Sequence, residues 1–454
     1  MCGIVGAVAE RNVVPILLEG LHRLEYRGYD SAGIAVLAEP KQIKVVRRQG
    51  RVGVLAEAIA ASGIKGTVGI AHTRWATHGE PSERNAHPHM IGNRIAIVHN
   101  GIIENYKQIQ QTLGFNKYEL LSETDTEVIA AYIYDLVEQG KTLLEAVLFT
   151  TKQLQGAYAI AVLDAASPSS LVAARHGSPL VVGLGMNEYF LASDPLALQK
   201  VAQEFIYLEE GDVVELSYGG YKIYNVSGVL VTRTIHTRVF AFDTVDKGQY
   251  RHFMQKEIFE QPTAIAETIM GRITGGKIFE QAFGLQAEAV FNKTKNIQIV
   301  ACGTSYYAGL IAKYWIEELA GIACQVEIAS EFRSRKRVIP LDTLLITISQ
   351  SGETADTLAA LRSTVEDGAH TYCGKLAICN VPESSLVRES DMVFLTHAGP
   401  EIGVASTKAF TAQLTSLLML AIALGKRPNL LGQECIKDLQ QLPFYIEEVL
   451  KLDL

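Results

Sequence analysis

Long apolar runs are missing from this sequence. The longest, Leu417 to Leu424, is far short of the roughly 20 residues that cross a bilayer, and the start carries no basic segment leading into an apolar core. Neither a membrane span nor a secretory leader is expected. Clustered positive charge is missing too: 41 Lys and Arg are interspersed with 49 Asp and Glu for a net charge of −8, which argues against the basic face that a nucleic-acid groove needs. Paired cysteines are scarce. Cys2, Cys302, Cys324, Cys373, Cys379 and Cys435 lie too far apart for a dense disulfide framework and include no Cys-x-x-Cys pair, so a reducing, cytoplasmic compartment is expected. His87-Pro88-His89 has a metal-like spacing, yet no carboxylate or cysteine pattern completes it, and Cys373 and Cys379 are wrongly spaced for zinc; no metal is expected.

What is present begins with length. A chain of 454 residues exceeds one ordinary domain of about 100–200 residues, so two domains are expected. The first half mixes strand-like stretches (Gly3–Ala9, Gly33–Val36, Val68–Ala71, Arg94–His99, Tyr158–Leu163, Leu171–Ala174) with amphipathic helices over Val13–Leu24 and Thr126–Gln139, which reads as an α+β domain with antiparallel sheets. Between Val239 and Gln261 the pattern turns polar and aromatic, and the boundary is placed there. Short apolar runs at Ile297–Ala301, Leu344–Ile348, Leu376–Cys379 and Met392–Leu395 then alternate with helical segments, the pattern of an α/β domain whose parallel sheet is covered on both faces.

The opening residues, Met1-Cys2-Gly3-Ile4-Val5-Gly6, place a thiol beside the N-terminus once Met1 is removed, as is usual before a small residue. An α-amine of pKa about 7.7–8.0 can then accept the Cys2 proton, giving a nucleophile with its own base; the alternative is a strand cysteine packed as a small hydrophobe. Three clusters bear on the choice. In His72-Thr-Arg74-Trp75-Ala-Thr77-His78-Gly79, Arg74 is suited to clamp a carboxylate in two-pronged fashion, or else makes a surface ion pair. In His99-Asn100-Gly101, the side-chain amide and the glycine N–H form a plausible oxyanion hole, or else a hairpin turn. In Ser122-Glu-Thr-Asp125-Thr-Glu127, Asp125 is suited to hold an ammonium while the hydroxyls cap the following helix.

In the second half, Leu344-Leu-Ile-Thr-Ile-Ser349-Gln350-Ser351-Gly352-Glu353-Thr354 reads as a buried strand, a hydroxyl-rich turn and a helix start. Free backbone N–H groups and the helix dipole favour an anion there, with Ser349, Ser351 and Thr354 as neutral donors. The loop has no lysine, which favours a sugar monophosphate over a nucleotide. Cys302-Gly303-Thr304-Ser305, after the strand Ile297–Val300, repeats the arrangement near a topological switch of the sheet. The alternative is two well-capped helices and no ligand.

Taken together, Met1-Cys2-Gly-Ile-Val-Gly6, Arg27-Gly-Tyr-Asp-Ser-Ala-Gly33, His72–Gly79, His99–Gly101 and Ser122–Glu127 closely resemble the glutaminase domain of the N-terminal-nucleophile amidotransferases. With Leu24-Glu-Tyr-Arg-Gly-Tyr-Asp-Ser-Ala-Gly33 and the second half, the resemblance is to the glutamine:fructose-6-phosphate aminotransferase family, and it covers essentially every residue. It implies an αββα N-terminal-nucleophile glutaminase domain (2–240), a linker and first helices (241–285), and a first sugar isomerase domain (286–454). Downstream of Thr357 no second Ser-x-Ser-Gly-x-Thr run occurs, so the family's second sugar isomerase domain, with its acid/base glutamate, is expected to be absent, and with it much of the synthase step. The resemblance also implies the roles. Cys2 attacks the L-glutamine side-chain amide, Asn100 and Gly101 hold the oxyanion, and Arg74 and Asp125 bind the α-carboxylate and α-ammonium. Arg27, Thr77 and His78 complete that pocket, and Trp75 gates an ammonia path. The D-fructose 6-phosphate site is drawn from Cys302, Gly303, Thr304, Ser305, Ser349, Gln350, Ser351, Thr354, Val404 and Ser406. No cofactor is implied, and a homodimer is implied for the full-length family enzyme. Two rival readings remain at this point: a glutaminase whose sugar-phosphate domain only senses ligand, and a phosphoribosyl-pyrophosphate amidotransferase, which lacks support because its acidic pyrophosphate loop is absent.

Overall fold

A computed structural model describes residues 2–25, 28–38, 42–76, 79–114, 117–237, 247–365, 372–382, 384–425 and 430–452. Of the residues singled out in the sequence, Arg27, Thr77 and His78 lie outside these. The chain divides into two compact units, residues 1–242 and 243–454.

The first unit is built on two antiparallel sheets. One runs in the order Ile235–Thr237, Glu204–Tyr207, Val181–Leu184, Tyr189–Ala192, Gly3–Val8, Val68–Arg74, Ser31–Ala38, Gln42–Gln49; the other runs Leu230–Val231, Gly220–Tyr224, Val213–Ser217, Ser170–His176, Gly156–Asp164, Ile95–Ile103, His89–Ile91. Side-chain alternation shows how they stack. In Gly3–Val8, Ile4 and Val8 pack with Ala96, Val98, Ala159 and Ala161 of the second sheet, whereas Val5 and Ala7 pack with Leu17, Leu21 and Leu24 of the helix Val14–Leu24. The second sheet turns Ile95, Ile97, Ile160 and Val162 to the helices Asp125–Glu138 and Leu143–Thr151. Four layers result, αββα. Strands covered on both faces cannot alternate apolar with polar, which is why Gly3–Val8 is buried at every position.

The second unit carries a five-stranded, all-parallel sheet ordered Ala323–Ile328, Asn296–Ala301, Thr343–Ser349, Tyr372–Cys379, Met392–Leu395. Ile297, Ile299, Leu344, Ile346, Ile348 and Ile378 face the helices Gly303–Ala320 and Lys408–Leu424, while Val300, Leu345 and Ala377 face Phe332, Leu358, Leu361 and Leu386. Successive strands run outward from Asn296–Ala301 in opposite directions. The switch of direction therefore falls between Asn296–Ala301 and Thr343–Ser349, the place in such sheets where a crevice opens beyond the carboxyl ends. Among the described residues no helix is long and apolar enough to cross a membrane.

Candidate active site

In the first unit, register alone carries Cys2 to its neighbours. Gly3–Val8 pairs antiparallel with Val68–Arg74, Gly3 opposite Thr73, so Cys2 falls beside Arg74 and Trp75. Its Sγ accepts the Trp75 N–H at 3.2 Å and lies 3.5 Å from the Trp75 carbonyl oxygen. Burial is the largest influence on the thiol and raises its pKa; the Trp75 N–H, the N-terminal charge and Arg74 pull the other way. Cys2 is thus a half-buried thiol held by backbone at the lip of a pocket, which separates it from an ordinary core cysteine. Cys2, Arg74, Trp75, His87, His99, Gly101, Thr124, Asp125 and Thr126 line that pocket.

Asn100 and Gly101 come from the other sheet. They sit within the strand Ile95–Ile103, paired with Ala159 and Tyr158, so the hairpin-turn alternative is corrected: the pairing continues past both residues. The Asn100 Nδ2 donates to the Cys2 carbonyl at 3.3 Å. Its Oδ1 faces His72 Nε2 at 2.9 Å, and since the amide nitrogen is turned to Cys2, the histidine is the donor. Gly101 has φ 126°, and a Cβ there would lie 2.0 Å from the Ala157 carbonyl oxygen; no other residue fits.

Arg74 is 4% exposed, which overturns the surface ion-pair alternative. Its guanidinium donates to the Gly79 and Glu80 carbonyls at 3.2 and 3.3 Å and lies 3.9 Å from Asp30. Asp30 in turn accepts the Ala76 N–H at 2.5 Å and the Ser31 hydroxyl at 2.8 Å. Asp125, at the start of the helix Asp125–Glu138, accepts the Ile103 N–H at 2.8 Å, and its other oxygen lies 3.9 Å from His99 Nδ1. The expected hydroxyl capping of this helix is not found: Thr124 makes no side-chain cap bond, because its hydroxyl is taken by Ser122 at 2.9 Å and His89 at 3.0 Å. Trp75 is half exposed, unlike a core tryptophan.

Sequence reading missed three features here. Asp30, within Arg27–Gly33, carries no sequence signal for its bonds to Ala76 and Ser31. Asn85, fully buried, bridges the loop after Gly79 to Glu123 through the Glu80 carbonyl, the Glu123 carboxylate and the Glu123 N–H, each at 3.0 Å. The third is a nest of buried imidazoles: His72 stacks on His87 at 4.3 Å, His87 meets His89 edge-on at 4.8 Å, and the His99 N–H donates to His87 Nδ1 at 3.2 Å. Among the described residues no group of three or more His, Cys, Asp or Glu is placed to hold a metal ion. Burial pushes His72 down to about 3 and holds His87 and His89 well below the ordinary histidine range, with Arg74 adding to the effect in all three.

Neutral rings of this kind give an acid sensitivity of definite sign. An unfolded histidine binds a proton near pH 6.5 and these three do not, so the folded state is favoured fully above that value and loses up to about 1.4 kcal/mol per histidine for each pH unit below it. The first unit is therefore expected to show a falling Tm between pH 7 and pH 5. A melting profile flat over that range would mean that the rings take up protons in the folded state.

The second unit presents its hydroxyls at the switch point. Ser349 ends the strand Thr343–Ser349; its Oγ accepts the Gly352 N–H at 3.0 Å and lies 3.0 Å from the Thr354 hydroxyl. Ser351 Oγ accepts the Glu353 N–H at 3.2 Å. Gly352 has φ 67°, and a Cβ on it would come within 1.9 Å of Ser384 Oγ. Thr354 precedes the helix Ala355–Ser363, and Cys302 precedes the helix Gly303–Ala320, which carries buried Ser305 and exposed Gly303 and Thr304. Thr357 and Cys302, 3.9 Å apart, join the two helix starts. From the adjacent strand end, the Asn380 N–H donates to the Gln350 carbonyl at 3.3 Å, while its side-chain Oδ1 accepts from Ala398 N–H and the Thr396 hydroxyl and its Nδ2 donates to the Gly399 carbonyl at 2.7 Å. The turn bearing Gln350 is thereby tied to the loop that leads to Val404 and Ser406. Val404 is 82% exposed, and Ser406 donates to Glu401 at 3.0 Å.

Residues 72–200 match the model of a glutamine amidotransferase domain and residues 290–423 that of the SIS domain. Over its whole length the chain is 56% identical to the glutamine--fructose-6-phosphate aminotransferase (isomerizing) of Haemophilus ducreyi and 55% identical to that of Vibrio cholerae, covering 74% of each. It thus spans about three quarters of the length of those relatives. Among solved structures, the C-terminal domain of glucosamine-fructose-6-phosphate aminotransferase from Francisella tularensis is 48% identical, with a TM-score of 0.44 over 46% of this chain and 59% of that one.

Proposed function

Because the chain belongs to the glutamine--fructose-6-phosphate aminotransferase (isomerizing) family, we propose that it moves the amide nitrogen of L-glutamine to D-fructose 6-phosphate, giving D-glucosamine 6-phosphate and L-glutamate. The observation that carries the first half of this reading is the convergence of Cys2 and Gly101 from two different sheets onto one pocket whose wall also holds Arg74 and Asp125, with Asn100 bonded to the Cys2 carbonyl beside it. Nothing in the packing of a mere scaffold calls for that combination.

In this reading Arg74 receives the α-carboxylate of glutamine and Asp125 its α-ammonium, which leaves the side-chain amide at the Cys2 end of the pocket. With Met1 removed, the Cys2 α-amine accepts the thiol proton as Sγ attacks the amide carbon. The Gly101 N–H and Asn100 Nδ2 donate to the oxygen that becomes negative, and His72 fixes which way the Asn100 amide points. Collapse of the tetrahedral species expels ammonia, the α-ammonium of Cys2 returning its proton. Water then cleaves the thioester to glutamate. The ammonia replaces the carbonyl oxygen of fructose 6-phosphate, which leaves as water, so atoms balance over the two halves.

The second unit holds the sugar phosphate. Ser349, Ser351 and Thr354 offer hydroxyls at the start of the nine-residue helix Ala355–Ser363, with Ser305 across the switch point, and neutral donors suit a dianion that must be released again. The test is calorimetry with fructose 6-phosphate alongside a glutamate-release assay. Fructose 6-phosphate is expected to bind where fructose does not, and Ser351→Ala to weaken it by roughly tenfold, the worth of hydrogen bonds to a charged group. Binding indifferent to Ser349→Ala and Ser351→Ala would move the phosphate elsewhere.

A further inference from the structure

We propose that Glu257 is a positioning residue for the phosphosugar site, pinning the loop 399–407 so that Val404 and Ser406 face the sugar; this rests on the reading of the second unit given above. Glu257 lies on the short helix Phe253–Phe259 and is 2% exposed. Its Oε1 accepts two consecutive backbone N–H groups, from Ile402 at 2.6 Å and Gly403 at 2.9 Å. Its Oε2 is buried without a hydrogen-bond partner among the described residues. A carboxylate buried with half its acceptor capacity empty is costly, and a glutamate kept only to brace two helices would be replaceable by an apolar residue. What this one supplies is an acceptor oxygen under a particular turn of backbone.

That turn is otherwise held from its ends. Asn380 fixes the Ala398 N–H and the Gly399 carbonyl. Glu401 accepts the Thr407 and Ala409 N–H groups at 2.7 and 3.0 Å on one oxygen and the Ser406 hydroxyl at 3.0 Å on the other. Glu257 holds the middle, directly beneath the step from Gly403 to Val404. Gly403 shows how close the approach is: a Cβ there would come within 2.5 Å of Glu257 Oε2. Among the described residues the loop has three anchors, Asn380, Glu401 and Glu257, and the one from Glu257 reaches it from a helix outside the sheet edge and the loop itself. Without it the Ile402 and Gly403 N–H groups lose their acceptor, and exposed Val404 rides on a turn free to move away from the crevice. The phosphate cradle, built from 349–354 and 302–305, meets the loop through Asn380, whose N–H donates to the Gln350 carbonyl, and takes no part in the bonds of Glu257.

Because the Glu257 bonds lie apart from the cradle, the inference is testable with two probes, inorganic phosphate and fructose 6-phosphate, by calorimetry. Glu257→Ala is expected to weaken fructose 6-phosphate by roughly tenfold or more, the cost of leaving such donors unmet, while inorganic phosphate binds as before. Glu257→Gln, which keeps an acceptor oxygen under the turn, is expected to restore most of the affinity. Gly403→Ala, which drives a methyl into Oε2, is expected to reproduce the loss without altering Glu257 and serves if Glu257→Ala does not fold. Equal weakening of both probes by Glu257→Ala, or full affinity in both Glu257→Ala and Gly403→Ala, would overturn the positioning role. Should Ser351→Ala leave both probes untouched, the reading of the site itself fails instead, and the two failures are told apart by that control.

Discussion

Replacing Cys2 by alanine is expected to abolish glutamate release, by at least about four orders of magnitude, as for loss of other covalent nucleophiles. The thiol has no understudy. Among the residues lining the pocket, Thr124 and Thr126 are the other hydroxyl bearers; Thr124 is engaged by Ser122 and His89, and Thr126 lies 2.9 Å from His99. Alanine keeps the strand start, and among the described residues Sγ bonds the Trp75 backbone alone, so Tm is expected to move little. The companion experiment separates nucleophile from base. A protein retaining Met1, or tagged ahead of it, keeps the thiol and loses the Cys2 α-amine, and it is expected to be nearly as inactive. Near wild-type hydrolysis in that protein would falsify the self-basic mechanism while leaving Cys2 as the nucleophile; hydrolysis surviving in Cys2→Ala would remove Cys2 from the chemistry altogether.

How much of this was legible beforehand follows from the physics of each element. Fold class was readable because it depends on periodicity. The two-faced burial of Gly3–Val8 and the buried parallel strands from Asn296 to Leu395 leave mainly apolar runs, broken by buried Gln298 and Thr347, and the helices between the parallel strands leave the alternation of strand and helix. Elements whose signal is weak were passed over. The strand Gln42–Gln49 carries three basic residues on an edge, and Ala323–Ile328 is an edge strand in which Cys324 alone is buried. The helix Leu143–Thr151 did have a signal: Thr142 and Glu145 form a capping box with reciprocal bonds at 3.3 and 2.9 Å, readable as Thr-x-x-Glu before an apolar run. Site residues of distinctive chemistry, a terminal cysteine or an Asn-Gly step, announce themselves. Asp30, Asn85 and Glu257 do not, since each acts by accepting or donating to backbone that is remote in sequence, and single carboxylates and amides are common everywhere. Only the register of the strands and the approach of the loops reveal what they hold.

The second large effect concerns the two ends of glutamine. Arg74→Ala or Asp125→Ala is expected to lower kcat/KM for glutamine by roughly 30-fold or more, the equivalent of the roughly 2–5 kcal/mol lost when one member of a buried charge pair is removed. Both alanine variants also disturb the protein: Arg74 holds the Gly79 and Glu80 carbonyls, and Asp125 holds the Ile103 N–H. The cleaner forms are isosteric. Asp125→Asn keeps an acceptor for Ile103 and loses only the charge, so its defect should reside in KM, because attraction for the α-ammonium acts on bound substrate and transition state alike. Arg74→Lys keeps the charge and loses the planar fork, and a two-pronged carboxylate clamp does not survive that exchange. Glutamine is therefore expected to bind poorly to Arg74→Lys even though the pocket keeps its positive charge. If Asp125→Asn and Arg74→Lys both hydrolyse glutamine within about threefold of wild type, a change too small for a buried ionic contact, the two residues brace the loops around Asp30 and Ile103 and the substrate's ends are read elsewhere. A defect in kcat with KM unchanged would instead mean that they act on the reacting amide, through the backbone beside Cys2 for Arg74 and through the strand bearing Asn100 for Asp125.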